Sequence, residues 1–198
     1  MYKIITIILL IIFSTTFSFS QFKMDITANY SLPQSTEFAN NFQNGIGASF
    51  DIHYIFKETG FSGSLLFGFN SFRAENSFEE EFKNINTTIF EYSYELTYYT
   101  FPLMLSANYT FFHDKKFNAI LSFGFGGNFM EYKKKQIGEY TSDTRKEYFN
   151  EFAIYPNMGV SYRFAKDMSL LLKGGYNATF GEQSLTYFDI RLGIAYNI

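Results

Sequence analysis

The feature that most constrains this chain is a two-residue alternation that recurs from Phe22 onward and is clearest near the end. From Phe188 the even positions are Phe188, Ile190, Leu192, Ile194, Tyr196 and Ile198, and the odd ones are Asp189, Arg191, Gly193, Ala195 and Asn197. Successive side chains of a strand point to opposite faces, so this segment is a strand with one apolar and one polar face. The same period marks Phe22–Leu32, Ile46–Phe56, Phe61–Phe69, Phe101–Phe111, Phe117–Phe129, Phe152–Phe164 and Met168–Phe180. No long stretch after Gln21 has helical periodicity. Eight strands are predicted.

Their connections alternate in length. Phe56 and Phe61, Phe111 and Phe117, and Phe164 and Met168 flank short turns, and pairing each couple puts both residues on the apolar face. Longer connections run over Pro33–Asn44, Ser71–Thr100 and Met130–Glu151, and only the last, near Gly181–Thr186, is short on that side. Outer-membrane barrels have tight periplasmic turns and longer external loops, and an even strand number leaves both termini in the periplasm. Phe56, Phe61, Phe111, Phe117 and Phe164 fall at one rim and Tyr30, Phe69, Phe101, Phe129 and Phe180 at the other, as two aromatic girdles do. Pro102 and Pro156 fall inside strands of a closed sheet and are expected at bulges.

The choice between a membrane barrel and a soluble one is made by volume. Roughly 50 positions lie on the apolar face, more than the narrow interior of eight strands can hold. That face carries no charge, whereas the opposite one is rich in Gly, Ser and Asn. Lipid exposure accounts for both, since a charge at mid-bilayer costs about 2–4 kcal/mol. Aromatics make up 22% of the chain, with 27 Phe and 16 Tyr, yet mean hydropathy is only -0.10 because the two faces cancel. The predicted architecture is all-β: an eight-stranded antiparallel up-and-down transmembrane barrel in the outer membrane.

Residues 1–20 read as a secretory signal peptide. Lys3 opens it, Ile4–Phe13 is an apolar run too short to span a bilayer, and Ser18-Phe19-Ser20 supplies small residues before cleavage at Gln21. Residues 21–198 form the barrel domain. The chain has no Cys, which rules out a disulfide framework and thiolate metal sites. A net charge of -3 argues against a nucleic-acid partner, and two His leave little for metal or acid–base chemistry.

Three segments carry a family resemblance: Thr100-Phe101-Pro102-Leu103-Met104-Leu105, Leu121-Ser122-Phe123-Gly124-Phe125-Gly126-Gly127, and Leu192-Gly193-Ile194-Ala195-Tyr196-Asn197-Ile198. With them the chain resembles the PorT-like outer-membrane β-barrel family of Bacteroidetes, departing from it in the final Ile198. The resemblance implies a small eight-stranded barrel. The family's association with protein secretion makes a component of an export or surface-assembly apparatus the alternative function.

Eight titratable side chains face the predicted interior: Lys23, Asp25, Asp51, His53, Arg163, Lys173, Asp189 and Arg191. They are expected to form a mutually satisfied polar network, because buried charges are tolerated only when paired. The sharper alternative makes His53 with Asp51 or Asp25 a lipid-modifying catalytic group, but no Ser nucleophile is marked by spacing. Gly124–Gly127 lie mid-strand without a following helix, so they are no phosphate loop; inward glycines instead make room for side chains such as Tyr155. No catalytic residue, metal or cofactor is assigned.

Thr88–Thr100 and Met130–Lys135 continue the strand pattern beyond the rim. Extending the register that joins Phe111 to Phe117 sets Glu95 opposite Lys133, an external strand pair stabilising by about 0.2–1 kcal/mol. The expected function is non-enzymatic: a monomeric structural or docking protein, bathed in outer-membrane lipid, meeting an extracellular or cell-envelope protein through these projections.

Overall fold

The computed structural model describes residues 22–56, 59–75, 93–137, 142–181 and 185–198. The signal-peptide segment and residues 88–92 of the strand read from Thr88 lie outside them. Eight strands form the wall: β1 (Phe22–Pro33), β2 (Gly45–Ile55), β3 (Phe61–Arg73), β4 (Ser93–Phe111), β5 (Phe117–Ile137), β6 (Ser142–Arg163), β7 (Met168–Phe180) and β8 (Thr186–Asn197). Each pairs antiparallel with its sequence neighbour, and β1 pairs with β8 to close the barrel. The seam runs from Lys23 opposite Asn197 to Pro33 opposite Tyr187.

Alternation sorts the side chains as read from the sequence. On β1, Asp25, Thr27, Asn29 and Ser31 are buried while Ile26 is 64% exposed; on β8, Asp189 and Arg191 are buried and Leu192 is 62% exposed. An exposed apolar surface of this extent has no place in water and is the face turned to lipid. From rim to rim it carries Phe, Tyr, Leu, Ile, Met, Val, Ala, Gly and Pro and no charged residue.

The two prolines are accommodated without bulges. Pairing of β3 with β4 lapses between Phe67 opposite Leu103 and Asn70 opposite Thr100, and that of β6 with β7 between Ile154 opposite Ala178 and Asn157 opposite Gly175. The register is the same on both sides of each lapse, so no residue is inserted. The strands simply forgo the ladder bonds that Pro102 and Pro156 cannot donate. Gly68 gives Pro102 room, since a Cβ there would lie 2.7 Å from the proline ring.

Two further departures lie at the loop end. Within Met130–Glu151, read as a long connection whose first part, Met130–Lys135, continues the strand, β5 does run on, to Ile137, and the departure is that β6 already begins at Ser142. Within Pro33–Asn44 a one-turn helix, α1 (Thr36–Asn41), folds into the barrel mouth. Phe38 and Phe42 sit one helical turn apart and share a face. They pack on Phe72, Tyr98, Leu96 and Tyr187 in a buried apolar cluster, with Phe38 at 4.8 Å from Phe42 and 5.0 Å from Phe72 between ring centroids. The segment is tied to the tip of β3 by a bridge between Phe42 and Ala74 and by Gln43 N–H donating to the Arg73 carbonyl at 2.8 Å.

Candidate functional site

Beneath this aromatic plug the lumen is filled by polar layers and by two small apolar clusters, one of Leu66, Met104, Ala153 and Tyr155 and one of Ile120, Leu171 and Ala195. Asn70 heads the first polar layer, donating to the Tyr187 hydroxyl at 3.2 Å and accepting from Ser31 at 3.2 Å and Asn29 at 3.3 Å. The next holds Asp189, which accepts from Tyr155 at 2.5 Å and from Arg191 Nε at 2.9 Å, while the Arg191 guanidinium lies 4.4 Å from the Tyr155 ring centroid. Nearer the periplasm is Asp25, with Lys173 Nζ at 2.7 Å, His53 Nε2 at 2.9 Å and Lys23 Nζ at 3.3 Å. Asp51 adds a carboxylate 3.8 Å from Lys173 Nζ.

Seven of the eight interior side chains singled out by alternation therefore lie in these two clusters. Arg163 does not join them. It shares their face but sits at the periplasmic mouth, donating to the His113 carbonyl at 3.0 Å beside a cavity of about 140 Å³. Alternation reports the face of a residue and not its height along the lumen, which separates Arg163 from the rest.

Asp25, Asp51 and His53 could offer three ligand atoms within 4.8 Å of one another. The Lys173 ammonium already brings positive charge to both carboxylates there, so the donor set reads as an ion-pair cluster. The plug covers this cluster from the outer side, and Lys23, which pairs with Asp25, lines the cavity at the periplasmic mouth.

The projecting sheet differs from the sequence reading in one particular. Glu95 pairs with Lys135, not with Lys133, which faces Thr97 instead. The β4–β5 turn closes two residues later than the Phe111–Phe117 pairing implies: Phe112 takes a left-handed φ of 58°, Lys115 N–H donates to the Phe112 carbonyl at 2.8 Å, and Phe111 comes to face Ala119 rather than Phe117. A shift of two preserves every face and changes every partner. An ion pair survives with the new neighbour, Lys135 Nζ standing 3.5 Å from the Glu95 carboxylate.

Midway along its length this sheet is locally cationic. Lys133 is directly opposite Lys146, and on the other face Lys134 is opposite Arg145. Partial burial, and after it the Arg145 guanidinium, hold the Lys134 ammonium below its usual range. Glu131 accepts from Lys146 at 2.8 Å, and that bond raises the Lys146 ammonium. Further down, burial and then the Glu147 carboxylate push the Tyr132 phenol up to about 12. Sequence reasoning missed the plug and the length of β6. The spacing of Phe38 and Phe42 after Ser35 was the available signal for the first.

No protein-family model matches the chain, and no curated protein matches its sequence. Solved structures do. A major outer membrane protein from Thermus thermophilus is 11% identical with a TM-score of 0.59, over 88% of this chain and 98% of its own. Ail, the attachment invasion locus protein of Yersinia pestis, is 10% identical with a TM-score of 0.51, over 89% and 97%. The outer membrane protease OmpT from Escherichia coli is 7% identical with a TM-score of 0.52, over 92% and 98%. Likeness at such identities concerns fold alone. Together with the uncharged apolar belt, it makes this chain a closed eight-stranded β-barrel of the outer membrane.

Proposed function

We propose that this barrel is a non-enzymatic surface protein that docks a partner on its projecting β4–β5–β6 sheet. One observation carries the reading. β7 ends at Phe180, opposite Phe152, so β6 from Ser142 to Asn150 has no neighbouring strand on that side among the described residues. An open strand edge pairs readily with an extended segment of another chain. Asp143 to Tyr148 are exposed on both faces, leaving side chains as well as backbone within reach.

Ail is an attachment invasion locus protein on a similar fold, which supports a role of this kind. OmpT is a protease on a similar fold, so the scaffold itself permits catalysis. Against an enzyme stand the ion pairs that occupy Asp25 and the plug that covers the lumen. The export role implied by the PorT-like resemblance is separated by the same experiment as docking.

That experiment places a photocrosslinking amino acid at Tyr148 in intact cells, alone or with Lys133–Lys146 replaced by Asn-Gly. Tyr132 and Glu147 are cross-strand partners, so a two-residue turn can close between them while the plug keeps Leu96 and Tyr98. The expected result is one envelope or extracellular protein crosslinked by the full chain and lost on truncation, with the barrel still folded. Absence of any adduct overturns docking, and secreted proteins accumulating inside truncated cells would move the assignment to export.

A further inference from the structure

Three cations share one outward-facing row of the projecting sheet. Arg73 is opposite Thr97, Thr97 is opposite Lys133, and Lys133 is opposite Lys146. Their parity is that of Phe69, Phe101 and Phe129, so they point where the lipid-facing aromatics point. Lys146 is held by Glu131 at 2.8 Å, but neither Arg73 nor Lys133 has an ion-pair partner among the described residues. Both border a cleft of about 470 Å³ that Thr97 also lines, together with Glu95 and the Lys135 that pairs with it.

The height of the row identifies what it meets. Arg73 lies four residues beyond Phe69 and Lys133 four beyond Phe129. At about 3.3 Å per residue and a strand tilt near 40°, the row stands roughly 10 Å above the aromatic girdle. Arg and Lys side chains reach back over part of that distance, which brings their charges to the headgroup layer. A cation directly opposite another is unfavourable within the sheet, and an anion between them removes the conflict.

We propose that Arg73, Lys133 and Lys146 bind phosphate groups of outer-leaflet lipid headgroups. The lipid would anchor the lower half of the projecting sheet on its lipid side, with Lys146 extending the contact onto β6. This contact does not depend on the docking reading, since it requires no protein partner.

The test measures retention of labelled diphosphoryl lipid A by the folded full-length barrel in an uncharged detergent. Lipid A stripped of phosphate serves as the comparison ligand. Arg73→Gln with Lys133→Gln is expected to weaken retention of the phosphorylated lipid about thirtyfold, the effect of two cations at an anionic surface. Lys115→Gln with Lys116→Gln, in the turn at the other end, should leave it unchanged. Equal retention of both lipids by the native barrel overturns the proposal, as does full retention by the Arg73/Lys133 variant. Complete displacement by inorganic phosphate would show a free-anion site and also overturn it. If that variant fails to fold, the comparison of the two lipids on the native barrel decides.

Discussion

Gly175 carries no side chain because Tyr155 occupies the space one would take: a Cβ there would overlap the phenol ring. The ring in turn delivers its hydroxyl to Asp189 and its face to Arg191. Gly175→Val is therefore expected to push Tyr155 off Asp189 and cost about 1–3 kcal/mol, as overpacking does. Gly63, whose added Cβ would meet nothing within 4 Å, provides the contrast, and Gly63→Val should stay within about 0.5 kcal/mol of the native chain. The temperature at which the heat-dependent gel shift occurs measures both. The need for room beside Tyr155 was visible in the sequence as small inward residues facing large ones. Which charges would meet was not, because Asp25 reaches Lys173 across the lumen from a strand far along the chain.

At the scale of elements, period and parity located all eight strands, while register had to come from the turns. Phe56 pairs with Phe61 through a bond of 2.9 Å and Phe164 with Met168 through one of 3.2 Å, as the sequence suggested. The β4–β5 turn broke the pattern, because a left-handed Phe112 is not foreshadowed by Gly or Asn at that position. The corrected register is open to chemistry. Thr97→Cys with Lys133→Cys should form a disulfide on mild oxidation, since residues directly opposite bring their Cβ atoms to about 4.5–5.5 Å. Glu95→Cys with Lys133→Cys should not. Crosslinking of the second pair and not the first would restore the original alignment. The strand character of β6 beyond Glu151 was masked in the sequence by its charges, which suit an exposed edge better than a wall.

The molecule as a whole is a filled cylinder. Among the described residues its outer mouth is closed by the aromatic cluster around Phe38 and Phe42, its middle by hydrogen-bonded and ion-paired layers, and a cavity of about 140 Å³ lies at the periplasmic end. No discrete single-channel steps are expected in a planar bilayer. Phe42→Ala should lower stability by about 3–5 kcal/mol through the cavity it leaves, yet still give no conductance, because the Asn70 and Asp189 layers remain below. Open-channel currents from the native barrel would contradict this packing. The seam between β1 and β8 bears on assembly. It joins the opening strand of the cylinder to the last, so the longest loop in the fold must shut before either edge is satisfied. Until β8 pairs with it, β1 is an unpaired edge able to recruit foreign strands, so the seam is the part of the wall protected last.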